Sequence, residues 1–171
     1  MRLDERGLTL VEVLAATAII GIGLVGLMVV VPISSYGLQE GNQLSTATFL
    51  AEQRLEQVRN APWTFSPDND CLGTSAAAGA APAVPAGKTC TNGSTTLAAG
   101  AATFADEASV AAYSGYGRTV RVTNCAVTAC AGITHADLRR VTVAVSYRPL
   151  TGAGVGTTNK SVALDLLVAK R

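Results

Sequence analysis

The chain has 171 residues, a formal net charge of +1, 15% charged and 5% aromatic residues, four cysteines and one histidine. A lone histidine, His135, no C-x-x-C pair and no recognisable Ser, Thr or Asp nucleophile motif give neither metal nor covalent catalysis a foothold, and no cofactor fingerprint is present. The chain is therefore expected not to be an enzyme.

Residues 1–7 form a short polar leader, Met1 to Gly7, and an apolar run follows from Leu8 to Ile33. The 24 residues from Leu8 to Val31 hold one charge, Glu12, and two polar side chains, Thr9 and Thr17. As a helix they would measure about 36 Å, enough to cross a hydrocarbon core of ~30 Å with some tilt. Pro32 is placed to kink or end that helix. Gly21, Gly23 and Gly26 weaken it and permit close helix–helix approach. A carboxylate inside a membrane span costs roughly 2.5–3.5 kcal/mol at the centre, which makes Glu12 a functional candidate. Close to the helix start, however, it can also be a plain interfacial glutamate.

Arg2 and Arg6 precede the span and the first charge after it is Glu40, so the positive-inside rule puts the N-terminus in the cytoplasm and the rest outside. Two competing readings exist. A cleaved secretory signal would use Ala16-Thr17-Ala18, but it would carry Glu12 in a very short apolar region and leave Ile19 to Val31 at the new terminus. A plain uncleaved anchor is the other.

Gly7-Leu8-Thr9-Leu10-Val11-Glu12 and the apolar run behind it resemble the N-terminal signature of type IV prepilins and pseudopilins. The resemblance covers residues 1 to about 33, with Phe49-Leu-Ala-Glu-Gln-Arg-Leu-Glu-Gln-Val-Arg59 similar to the second half of the pilin helix in PilV-type minor pilins. It implies cleavage by prepilin peptidase between Gly7 and Leu8, N-methylation of the new Leu8 amine, storage in the inner membrane, and assembly with other pilin subunits through an inner-membrane platform. Leu8 departs from the Phe most type IV pilins carry there. By the same resemblance, Glu12 would meet the terminal amine of a neighbouring subunit and set filament register. After such a cut, the Leu8 amine and the Glu12 carboxylate lie four residues apart on one helix face, where the helix dipole favours the negative charge.

From residue 34 the helix is expected to continue to 60, with an apolar stripe Leu44, Thr48, Ala51, Leu55 and Val58 and with Glu52, Arg54, Glu56 and Arg59 solvated. Phe49 and Leu50 fall off that stripe and so could face a partner. Ala61-Pro62 stops the helix. Residues 64–115, of which Gly73 to Ala102 are rich in Ala, Gly, Pro, Ser and Thr, read as an irregular, variable loop region with a short helix around 106–112. Beyond Tyr116 the period becomes two. Val120 and Val122, then Val141, Val143, Val145 and Tyr147, then Val162, Leu164, Leu166 and Val168 predict three half-buried strands, resting on the helix stripe. Gly152-Ala-Gly-Val-Gly156 is a turn between the last two. The expected class is α+β, pilin-like, with the long helix packed on a C-terminal antiparallel sheet across residues 116–171.

Cys71, Cys90, Cys125 and Cys130 all follow the apolar run. Three pairings are possible, of which Cys71–Cys90 with Cys125–Cys130 is the local one; disulfides in an oxidising compartment compete with a zinc site. Charge is asymmetric: residues 34–117 carry three basic against seven acidic residues, net −4, and residues 118–171 carry eight basic against Asp137 and Asp165, net +6. Opposite signs suit head-to-tail assembly. Alternatively Arg118, Arg121, Arg139, Arg140 and Arg148 could touch nucleic acid, although few aromatics are available for stacking. The functional expectation is a structural, minor filament subunit of a type IV pilus. Its rivals are a pseudopilin of a type II secretion system, a membrane-tethered DNA-uptake pilin, and an anchored domain that never polymerises.

Overall fold

A computed structural model describes residues 9–151 and 154–171. Its first element, α1, spans Leu10–Arg59, 50 residues without interruption. At 1.5 Å per residue it is about 75 Å long. Thr9 caps its start in extended conformation, and at its end the Asn60 N–H donates to the Glu56 carbonyl and the Ala61 N–H to the Val58 carbonyl. The helix runs through Pro32 without ending there and continues to Arg59, in line with the expected continuation to 60. A proline removes one backbone donor, and in an apolar segment no water competes for the remaining hydrogen bonds, so the flanking turns persist.

Three long strands form the sheet: β7 (Tyr116–Asn124), β8 (Leu138–Tyr147) and β11 (Lys160–Ala169). They make an antiparallel meander of order β11-β8-β7. Register aligns Val120, Val143 and Leu164 in one rank and Val122, Val141 and Leu166 in the next, so the period-two apolar sets share a face. That face covers the C-terminal part of α1, as the alternation predicts. The layout is α+β and pilin-like.

The helix meets the sheet on a face slightly rotated from the expected stripe. Ala47, Leu50, Ala51 and Val58 are buried, with Leu50 at 0% exposure, whereas Leu44 is 49% exposed. Leu50 is thus a core residue and not a partner contact, while Phe49 stays 53% exposed. Arg54 lies on the packed side too, half-buried rather than solvated. The rotation has a cause: Ala47 and Ala51 let the helix approach the valines closely, and Arg54 finds a carboxylate beneath it.

Between helix and sheet, residues 61–115 form three small hairpins. Strands β1 (Trp63–Thr64) and β2 (Asn69–Asp70) pair, as do β3 (Thr74–Ser75) with β4 (Pro82–Ala83) and β5 (Cys90–Asn92) with β6 (Thr95–Leu97). A fourth hairpin, β9 (Leu150–Thr151) with β10 (Gly154–Val155), precedes β11. The expected helix at 106–112 is absent. Glu107 instead exchanges backbone hydrogen bonds with Arg118 on β7, at 2.9 and 2.7 Å, and Val110 turns inward. An open strand edge offered that backbone a better partner than its own next turn. Ala61, Cys71, Val84 and Cys90 make a small second core.

Candidate functional site

The candidate site begins at the first turn of α1. Thr9 and Glu12 form a reciprocal capping box. The Glu12 N–H donates to Thr9 Oγ1 at 3.3 Å, and the Thr9 N–H and hydroxyl both donate to Glu12 Oε2 at 3.2 Å. Such a cap contributes about 1 kcal/mol to helix stability by satisfying donors that the helix start leaves open. The Thr9-x-x-Glu12 spacing announces it in the sequence, and the partner it supplies to the carboxylate is local. Gly7 and Leu8 lie outside the described residues.

Behind the cap, Leu10–Met28 is long and apolar enough to cross a membrane, with a mean hydropathy of 2.3 and no part buried within the chain. Its polar groups are satisfied internally: the Thr17 hydroxyl donates to the Val13 and Leu14 carbonyls, each at 3.0 Å. A hydroxyl that bonds its own backbone can sit in hydrocarbon at little cost. A Cβ added at Gly21, Gly23 or Gly26 would meet nothing within 4 Å, so within one subunit these glycines face open space.

The grip of the sheet on the helix starts at Glu40. Lys160 on β11 pairs with Glu40, which raises the lysine pKa through that hydrogen bond. Gln43 clamps the end of β8, its amide donating to the Arg148 carbonyl at 3.3 Å and accepting from the Leu150 N–H at 3.1 Å.

The five arginines do not form one basic surface. Arg118 and Arg139 are 6% and 7% exposed and lie inside ion pairs, which corrects their expected role at a nucleic-acid interface. Arg118 donates to Glu107 at 2.7 and 3.1 Å and to the Leu50 carbonyl at 3.1 Å, while Arg54 holds the other oxygen of Glu107 at 2.6 Å. Burial pulls the Arg54 pKa down, outweighing the Glu107 charge, which raises it. Arg139 is bidentate with Asp70, at 2.6 and 2.7 Å, and lies 4.1 Å from the Trp63 ring. Arg121 is bidentate with Asp106, at 2.6 and 2.8 Å. Arg140 and Arg148 meet no carboxylate among the described residues.

These pairs also account for the charge asymmetry. Glu40, Asp68, Asp70, Asp106 and Glu107 from the acidic half each pair with a base from residues 118–171. The opposite signs therefore fasten one subunit together, and the head-to-tail reading of them loses its basis. Two of these pairs, Arg118–Glu107 and Arg139–Asp70, are largely shielded from water and so are screened least. Asp70 also accepts the Gly73 N–H at 2.9 Å. Gly73 has φ +68 and would set a Cβ 2.7 Å from the Ala83 carbonyl oxygen, so only glycine fits that turn.

The cysteines form the local pairs, Cys71–Cys90 and Cys125–Cys130. Cys71–Cys90 ties β2 to β5 beside Phe104, and Cys125–Cys130 closes the turn after β7. His135 is exposed and accepts the Asp137 N–H at its Nδ1.

A family model described as the prokaryotic N-terminal methylation motif matches residues 2–28. No curated protein and no solved structure matches the chain. The matched segment contains the Gly7–Leu8 junction, the Thr9–Glu12 cap and the apolar span, so over these residues the chain is similar to type IV pilin-like proteins. Processing by prepilin peptidase and assembly with other pilins are what this signature implies.

Proposed function

We propose that this chain is a minor structural subunit of a type IV pilus or pilus-like filament. In this reading prepilin peptidase cuts between Gly7 and Leu8 and the Leu8 amine is methylated. Residues 8–33 hold the subunit in the inner membrane with residues 34–171 outside. Extraction then packs residues 8–33 among the helices of other subunits.

The observation that carries the reading is the union of a matched methylation motif with a helix that is bare along Leu10–Met28 and clasped by its own sheet only from Glu40 onward. About 1.5 Å per residue puts some 45 Å of naked rod ahead of the domain. An apolar rod of that length needs lipid or kindred helices around it, and a filament core supplies the second after the membrane supplies the first.

Glu12 acts at the exchange. Thr9 follows the Gly7–Leu8 junction, so the capping box survives cleavage and keeps the carboxylate hydrogen-bonded in the membrane. Once the helix enters a packed core, the terminal amine of a neighbour offers the charge partner that a neutral hydroxyl cannot. Glu12→Ala should leave membrane insertion intact and lower recovery of the chain in sheared surface filaments. Undiminished recovery would remove Glu12 from the mechanism.

A further inference from the structure

Arg140 stands apart from the other charged groups of the sheet. It lies on the outer face of β8, in one rank with Thr123 and Leu167, opposite the valines of the core. It is half-buried, it forms no ion pair among the described residues, and its Nε is closed off from solvent without an acceptor. The neighbouring strand shows the contrast: Arg121 is fully engaged by Asp106 in a two-pronged pair.

A cleft of about 730 Å³ opens over this spot. Its floor is Arg121, Thr123, Arg140 and Thr142, and its walls are the Ala76–Ala78 turn beyond β3 and the Val127–Thr128 loop held by the Cys125–Cys130 disulfide. The volume falls within the ordinary range for small-molecule sites, roughly 300–1,000 Å³. Three consecutive alanines and Val127 supply an apolar wall, the Thr123 and Thr128 hydroxyls supply neutral donors and acceptors while that of Thr142 is donated to Asp165, and one guanidinium supplies an uncommitted fork.

From this arrangement we infer that the cleft binds an acidic saccharide, with Arg140 taking the carboxylate of a uronic-acid residue. A planar guanidinium matches a carboxylate in two parallel hydrogen bonds. The hydroxyls of the sugar suit the threonines, and its C–H faces suit the alanine wall. A polyphosphate fits less well. Only one cation on the floor is free of a carboxylate, Asp106 and Asp165 hold negative charge against Arg121 and Thr142 of the floor, and no aromatic ring lines the cleft for a base to stack on. This site lies on the exported domain and stands independently of how the N-terminal helix assembles.

The test is calorimetric titration of the full chain in detergent micelles with a galacturonic-acid hexamer. A neutral glucose hexamer, a hexaglutamate peptide and a short DNA duplex serve as competing probes. The expected result is saturable binding of the acidic hexamer alone. Arg140→Gln should weaken it roughly tenfold or more, as loss of a charge-assisted bidentate contact does. Arg148→Gln, an exposed arginine outside the cleft, should leave it unchanged. Because Arg140→Gln could disturb the sheet, Ala77→Trp, on the exposed wall, provides a second way to block the cleft and should abolish binding. No binding of the acidic hexamer, equal binding of the neutral hexamer, preference for hexaglutamate or DNA, or indifference to both substitutions would each overturn the assignment.

Discussion

Glu107→Gln is the substitution that most sharply separates this architecture from a helix merely resting on a sheet. Glu107 lies between two guanidiniums, Arg118 with a side chain 6% exposed and Arg54 at 14%, and is itself 29% exposed. The amide keeps the size of the side chain and can still accept a hydrogen bond, so packing is preserved while the charge is lost. Two guanidiniums then face each other with no negative charge between them. Breaking a fully buried pair costs ~3–5 kcal/mol, and partial access of water to Glu107 lowers that to about 2–3 kcal/mol. Trp63, the single tryptophan, is buried against Arg139 and reports unfolding of the exported domain by fluorescence. With a urea dependence of roughly 1–3 kcal/mol per molar, the midpoint should fall by roughly 0.7–3 M relative to the parent in the same detergent. A fall below roughly 0.3 M would mean that the Arg54–Glu107–Arg118 cluster contributes no more than an exposed surface pair, and the proposed fastening of helix to sheet would be refuted.

Other expectations follow from the same packing. Leu50→Ala should cost ~2–5 kcal/mol in that titration, because Leu50 is fully enclosed, whereas Phe49→Ala should stay within about 0.5 kcal/mol. Equal effects would place the helix in a different rotation on the sheet. Replacing Cys71 and Cys90 by serine should destabilise more than replacing Cys125 and Cys130. Their sequence separations are 19 and 5, and loop entropy gives about 3 and about 2 kcal/mol; the reverse order under non-reducing conditions would contradict it. Asp106 has its pKa lowered from 3.8, chiefly by the hydrogen bonds from Arg121. A depressed carboxyl stabilises the fold above its unfolded pKa and loses that contribution as pH falls through the folded value. Asp106→Asn should therefore be less stable than the parent at pH ~7, by no more than about 1 kcal/mol, with the gap closing as pH falls through the folded pKa; a gap that widens on acidification would be inconsistent with the pair.

The parts legible in the sequence were those governed by local periodicity. The three strands follow from valines at alternate positions, and their common face from the buried sets at 120–122, 141–147 and 162–168. The methylation motif is a contiguous pattern of leader, glycine, glutamate and apolar run, and it reads from residues 2–28 alone. What was hidden depends on contacts between distant residues. Asp70 and Arg139 are 69 positions apart, Arg54 and Glu107 53 apart, and no spacing rule links them. For that reason five arginines resembled a basic surface when two of them were core residues. The 106–112 segment resembled a helix because its free strand-edge partner, β7, lies outside its own window. The Thr9–Glu12 cap, by contrast, is local and is written in the sequence as a spacing of three.

Mass spectrometry of the chain recovered from the cell surface bears most directly on the filament account. It predicts an intact mass and an N-terminal peptide beginning at Leu8, carrying one added methyl group on the amine, with residues 1–7 removed. A surface form that starts at Met1, or after Ala18, would contradict it.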